Sequence, residues 1–206
     1  THVSILIVML ILLGFAIAAN RKMRHGSEVP GGFQNIVELI VEMLDKMVQS
    51  SMGRNAGKFM NYIGSIFLFI FVSNISGLFG LRAPTADYGV TLPLGLMTFA
   101  IIQYNNVKYN KHRAFTGLFQ PLPFLFPINL IGEIAVPFSL SLRLFGNVLS
   151  GTVMMSLIYS LLSRFAIGWP GFLHIYFDAF SGAIQTYVFC MLTMVYVTDK
   201  LPEEKA

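Results

Sequence analysis

What most constrains this chain is a series of apolar runs, each long enough to cross a lipid bilayer. Residues 3–19 hold 17 residues without a charged side chain. At ~1.5 Å per residue that is the lower limit for a helix spanning a ~30 Å hydrocarbon core. Uncharged runs recur at 59–81 and 90–107. Composition agrees: 55% of the 206 residues are hydrophobic and only 12% are charged, whereas a water-solvated chain carries about a quarter charged. Mean hydropathy is +0.67, so much of the surface meets lipid rather than water. A single cysteine, Cys190, excludes a disulfide-stapled secreted scaffold. No polar stretch is long enough for a separate soluble catalytic domain.

The expected fold is therefore all-α, one polytopic membrane domain over residues 1–206 with about five membrane helices. Residues 3–19 form the first span; Arg21, Lys22 and Arg24 follow the apolar run, where a signal peptide would place its charges before it. Numbering from Thr1 suggests a preceding segment. Residues 33–52 differ, because Ile36, Leu39, Ile40, Met43, Leu44 and Met47 recur at three and four while Glu38, Glu42, Asp45 and Lys46 fill the rest. That pattern predicts an amphipathic helix at the membrane surface or against another subunit. Residues 59–81 and 90–107 are spans, joined by the turn Arg82 to Asp87. Lys108, Lys111, His112 and Arg113, then Pro121, Pro123 and Pro127, mark a loop at a membrane face. The remainder, 122–165 and 172–198, reads as a long tilted hairpin broken at Gly168-Trp169-Pro170-Gly171. No matching motifs repeat between the halves, which disfavours a transporter built from duplicated bundles.

Basic residues set the expected orientation. With the N-terminus outside and the C-terminus cytoplasmic, inner segments hold 11 of the 14 Lys and Arg and outer segments hold Arg82 and Arg164, in keeping with the positive-inside rule. The remaining residue is Arg143.

Arg143 sits in PFSLSLRLFGNVLSG, flanked on both sides by mostly apolar sequence. A guanidinium does not lose its proton in proteins, and at mid-bilayer it costs at least ~2.5 kcal/mol on insertion scales. Such residues line ion pathways or pair with a counter-charge. Within this chain the candidate acids are Glu133 and Asp178; Glu133 is ten residues away and nearly opposite on the helix, so a local pair is disfavoured. Ser139, Gly146, Asn147 and Ser150 surround Arg143 at helical spacing, giving a face of low bulk that another helix can approach closely.

A second polar stripe runs along the last helix: His174, Asp178, Ser181 or Gly182, and Gln185. Polar groups descending from one surface towards the middle suit a water-filled vestibule. An interfacial role for His174 and a helix-to-helix hydrogen bond for Gln185 fit the same pattern. Asn129 and Glu133 begin the other long helix near the inner face, where they line a second vestibule.

The segment Ser139-Leu-Ser-Leu-Arg-Leu-Phe-Gly-Asn147 resembles the S-L-x-L-R-L-F-G-N signature of the a subunit of the rotary F-type ATP synthase membrane sector. Pro127 to Glu133, Pro84-Thr-Ala-Asp87 with Val90-Thr-Leu92, and Ile184 to Phe189 ahead of Leu192-Thr resemble further family segments, so the similarity covers nearly the whole chain. It implies that Arg143 faces the rotating ring of c subunits, with Asn147 and Gln185 as polar neighbours and Glu133 on the inner access path. Two positions depart. Nine residues after the arginine many members carry glutamate, and here stands Thr152; seven before the glutamine several carry histidine, and here stands Asp178. An acidic group has in effect moved to the facing helix, which leaves the coupling ion open between protons and sodium.

The expected function is that of an ion-translocating stator subunit of a rotary ATP synthase, with two offset half-channels and Arg143 discharging the ring's carboxylates. The candidate pathway comprises Asp178, Gln185, Asn147, Glu133, His174, Ser139 and Thr152. Expected partners are the c-subunit ring, peripheral stalk b subunits, membrane lipid and H+ or Na+, with no nucleic acid. The expected location is a bacterial plasma membrane. A secondary ion-coupled transporter working as one polypeptide also accommodates buried Arg143 and Asp178. An enzyme does not suit the residues: no glycine-rich phosphate loop is present, no cofactor is implied, and His174 and Asp178 have no third residue at a matching position to hold a metal.

Overall fold

The structure is a computed structural model that describes residues 1–24, 31–110, 123–161 and 170–201. The basic loop around Lys111 to Arg113, the hairpin tip with Arg164, and Lys205 lie outside the described residues. Every regular element described is helical, and the chain is an all-α polytopic membrane protein.

Among the described residues, six helices carry the fold. They are α1 (His2–Arg24), α2 (Gly32–Met52), α3 (Ala56–Ile75), α4 (Tyr88–Asn110), α5 (Phe126–Leu161) and α6 (Pro170–Asp199). Among the described residues four helical stretches are long and apolar enough to cross a membrane: α1, the stretch Gly32–Phe79 that contains α3, α5 and α6. Helix α4 has 23 residues, enough for the crossing expected at 90–107. Its second half, however, is diluted by Gln103, Asn105, Asn106 and Asn110.

Gly53 ends α2 at φ +53°, a conformation that glycine adopts without steric cost. The chain then turns through Gly53–Asn55 and folds back, so that Leu44 of α2 packs over Gly64 of α3, with 3.9 Å from its Cδ1 to the position a β-carbon would take there. Helix α2 is therefore not the simple two-faced element that its spacing suggests. Gln34, Val37, Leu44, Val48 and Met52 turn inward, Glu38, Glu42, Asp45 and Lys46 form a polar sector, and Ile36, Leu39 and Met43 remain exposed. Of the apolar set read from the sequence, Leu44 is buried in the core and Ile40 and Met47 pack against it half-buried.

The core lies chiefly between α3 and α6. Ile63, Ile66, Phe67 and Ile70 of α3 meet Phe189, Cys190, Met194 and Val197 of α6, with Leu44, Val48 and Met52 of α2 and Leu140 and Leu144 of α5 closing the sides. A buried polar node crosses this interface. Asn74 Nδ2 donates to the Gly182 carbonyl at 3.0 Å and to Thr186 Oγ1 at 3.3 Å, and Thr85 Oγ1 donates to Asn74 Oδ1 at 2.6 Å. Each partner satisfies the others, which is what makes polar groups tolerable in an apolar interior.

Helix α5 is different in kind. Only 17% of its apolar window is buried, against 44% for α6. Its buried residues, Pro137, Leu140, Ser141, Leu144, Gly151 and Met155, form one stripe. Against that stripe α4 approaches so closely at Gly95 that a β-carbon there would sit 2.6 Å from the Pro137 carbonyl oxygen.

Candidate functional site

Three polar clusters lie along α5 and α6 at successive depths. At the end nearest the hairpin tip, His174 Nδ1 and Asp178 Oδ2 are 2.8 Å apart, and His174 Nε2 lies 3.1 Å from Tyr159 Oη of α5. Asp178 is only 16% exposed, and His174 is 34% exposed. The Asp178 carboxyl group also packs on Gly77, where a β-carbon would come within 3.1 to 3.3 Å of it. The bare backbone there makes room for the acid.

Asp178 lies inside a π turn, Ile175–Phe180. Each such turn takes an extra residue, so it lags an α-helix by up to ~100°, and such turns recur at functional sites. The stripe read at regular helical spacing is consequently not one straight line. Asp178 faces Gly77 at the end of α3, while Gln185 faces Asn147 of α5.

The middle cluster is Arg143, Asn147 and Gln185. Asn147 Nδ2 donates to Gln185 Oε1 at 2.5 Å. Gln185 is buried, and its Nε2 has no hydrogen-bond partner among the described residues. Arg143, one turn before Asn147, is exposed on the open side of α5, flanked by exposed Leu142 and Phe138. Ser139 and Ser150 share that side and are exposed too. Helical spacing explains the direction: Leu140 and Leu144 are buried, and Arg143, three steps after the one and one step before the other, projects about 60° and about 100° away from them. Among the described residues Arg143 forms no hydrogen bond or ion pair.

The third cluster lies about ten residues, ~15 Å, along α5 from Arg143. Glu133 Oε2 accepts from Gln103 Nε2 of α4 at 2.7 Å, and Oε1 accepts from Lys200 Nζ at the end of α6, also at 2.7 Å. Asn110 Nδ2 of α4 donates to the Lys200 carbonyl at 3.1 Å. The two acids weighed against Arg143 within this chain are thus engaged elsewhere, Glu133 with Lys200 and Asp178 with His174.

Of the residues singled out from the sequence, the structure brings His174 to Asp178 and Asn147 to Gln185. It leaves Thr152 apart. Nine residues from Arg143 amount to two and a half turns, so Thr152 faces the opposite side of α5, exposed, with its hydroxyl on the Leu149 carbonyl at 2.8 Å. Tyr159, Gln103, Lys200 and Asn74 went unremarked as site residues. Lys200 is the one with a visible signal, a lone cation closing the last apolar run. Among the described residues no three His, Cys, Asp or Glu side chains converge to hold a metal ion.

Comparison with known proteins gives the family. Residues 2–198 match the family model described as ATP synthase A chain. The chain is 38% identical to a sodium-ion-specific ATP synthase subunit a of Propionigenium modestum, over 84% of this chain and 65% of that one, just under two thirds of its length. It is 34% identical to ATP synthase subunit a of Priestia megaterium, over 85% and 81% of the two chains. It is 35% identical to that of Listeria welshimeri, over 97% and 90%. With nearly its whole described length matched, the chain belongs to the ATP synthase A chain family.

Proposed function

We propose that the chain is the ion-translocating stator subunit of a rotary ATP synthase, in which Arg143 meets carboxylates carried past it by a ring of c subunits. The observation that carries this reading is a permanently charged guanidinium on the uncovered face of α5, without a partner among the described residues, while Glu133 and Asp178 are held by Lys200 and His174. A buried or lipid-facing charge is tolerated when a counter-charge arrives from elsewhere. A carboxylate crosses lipid neutral, as the protonated or sodium-bound form, because an ionised one is expensive there. Beside Arg143 the ionised form is favoured, since an opposite charge within a few ångströms stabilises it, and the ion is released. Each elementary charge moved delivers about 2.3 kcal/mol per 100 mV of membrane potential.

The three clusters fit two offset half-channels. Tyr159, His174 and Asp178 open to one face; Glu133, Gln103 and Lys200 open to the other; Arg143, Asn147 and Gln185 stand between and block a straight leak. Orientation by basic residues puts the Lys200 end in the cytoplasm. The polar sector of α2 suits a contact with the peripheral stalk. This chain is non-catalytic, and ATP chemistry belongs to other subunits of the assembly.

One relative is described as sodium ion specific, so the coupling ion here is to be measured. The deciding experiment is ATP synthesis by the whole complex in proteoliposomes, driven by a pH gradient without sodium or by a sodium gradient at fixed pH, with Arg143→Ala beside the wild type. Loss of coupled synthesis in Arg143→Ala is expected. Normal coupled synthesis in that variant, or ion transport by this chain alone in liposomes, overturns the reading.

A further inference from the structure

Lys200 sits in the cluster around Glu133, but its charge has been given no task of its own. Its ammonium lies 2.7 Å from Glu133 Oε1, and the two side chains are 23% and 24% exposed, so solvent reaches a pair that is not free in solvent. Three helices converge on this carboxylate: α5 carries it, α4 supplies the neutral Gln103, and α6 supplies Lys200. Asp199, the other charged group at this end of α6, is 3.8 Å from Lys200 Nζ and 73% exposed, so water screens it strongly. The Asn110 hydrogen bond to the Lys200 carbonyl fixes where the lysine begins. Geometry therefore delivers one positive charge onto one negative charge at the mouth of the path assigned to Glu133.

Resting on the Proposed function, we propose that Lys200 is the fixed counter-charge of the cytoplasmic half-channel. A bare carboxylate at a channel mouth attracts cations but also retains them, and conduction requires binding weak enough for departure. Paired with Lys200, Glu133 offers oxygen atoms to a passing H+ or Na+ without a net negative charge. Lys200 is thus a positioning residue that acts through Glu133, and it tunes how tightly the mouth holds the transported ion.

The test uses the whole complex in proteoliposomes. ATP-driven pumping is titrated on the ATP side, once with pH in the absence of sodium and once with sodium at fixed pH, for wild type, Lys200→Met, Lys200→Arg and Lys200→Met/Glu133→Gln. Lys200→Met should lower the half-saturating concentration of the pumped cation about tenfold, the scale of one lost neighbouring charge at a partly exposed site. Lys200→Arg should restore the wild-type midpoint, and the double variant should lose the shift because the unpaired carboxylate is gone. Lys200→Gln, which keeps a donor without the charge, replaces Lys200→Met if the latter fails to assemble. A wild-type midpoint in assembled Lys200→Met or Lys200→Gln complexes overturns the proposal, as does a Lys200→Arg midpoint shifted like that of Lys200→Met. Arg143→Ala in the same preparation separates the two failures: if it loses coupling while the Lys200 variants titrate normally, only the role of Lys200 falls.

Discussion

Asn147 and Gln185 are joined by a 2.5 Å hydrogen bond across α5 and α6, one helical turn from Arg143. It ties the two long helices together close to the arginine.

Replacing only Asn147 with Leu should be more damaging to stability than replacing both partners. The single change strands the carbonyl of a buried glutamine, at about 1–3 kcal/mol, whereas an apolar pair of similar shape is nearly neutral. A double-mutant cycle on thermal stability in detergent checks this. The proposed role makes a second demand: Asn147→Leu/Gln185→Leu must still lose coupled pumping despite its recovered stability. Full pumping by the double variant would reduce the pair to packing.

In the cluster with His174, Asp178→Asn should reduce ATP-driven pumping by about 100-fold, the lower range for removing a group that transfers an ion or proton. Tyr159→Phe deletes one hydrogen bond to His174, worth about 1 kcal/mol, and should cost only a few-fold. Equal rates for Asp178→Asn and wild type would remove Asp178 from the path.

Gly95→Val should prise α4 from α5, because its β-carbon would stand 2.6 Å from the Pro137 carbonyl, a backbone atom that cannot rotate away. Overpacking of this kind costs about 1–3 kcal/mol, and the level of folded protein extracted from membranes reports it. Gly14→Val is the matched control, since nothing lies within 4 Å of a β-carbon there. Similar yields for the two variants would contradict the tight crossing.

Asp87, in the turn before α4, accepts the Gly89 N–H at 2.9 Å. That hydrogen bond, with Arg82 nearby, holds its carboxyl below the ordinary carboxylate value. Because the folded state favours the ionised form, the stabilisation is complete above the unfolded value of about 3.9 and disappears as pH falls through the lower folded value. Asp87→Asn, which keeps the acceptor, should match wild type at neutral pH and lose this acid-dependent component; Asp87→Ala should lose about 1 kcal/mol at neutral pH, a difference that shrinks as pH falls through the folded value. Thermal melts from pH 3 to 7 distinguish the three.

On α2, Glu38 accepts from Gln34 at 2.8 Å and Glu42 pairs with exposed Lys46. Reversing Glu38 and Glu42 to Lys should weaken retention of the peripheral stalk during purification more than it slows pumping by complexes that keep it. Unchanged stalk content would reject the stalk contact.

Much of this architecture is legible in the residues. Long apolar runs locate α1, α3, α5 and α6 because lipid tolerates so few alternatives, and Arg143 is conspicuous because hydrocarbon penalises it. What escapes is anything that depends on a neighbour. Periodicity gives the angle of Leu44 about its own axis but not the identity of α3 as the helix beneath it. The partner of Glu133 lies 67 residues away, beyond any local spacing. The π turn around Asp178 leaves no compositional trace, and it is what separates the directions of Asp178 and Gln185.

The uncovered side of α5 has a mechanical corollary. Ser139, Gly146 and Ser150 are short, and Ser150 folds its hydroxyl onto the Gly146 carbonyl at 2.6 Å, so they form a low strip bordered by exposed Phe138 and Leu142. Under the proposed function, where interlocking ridges would create detents at every step, a strip of short side chains would let a companion slide laterally with low friction, with Arg143 as a point at which it pauses.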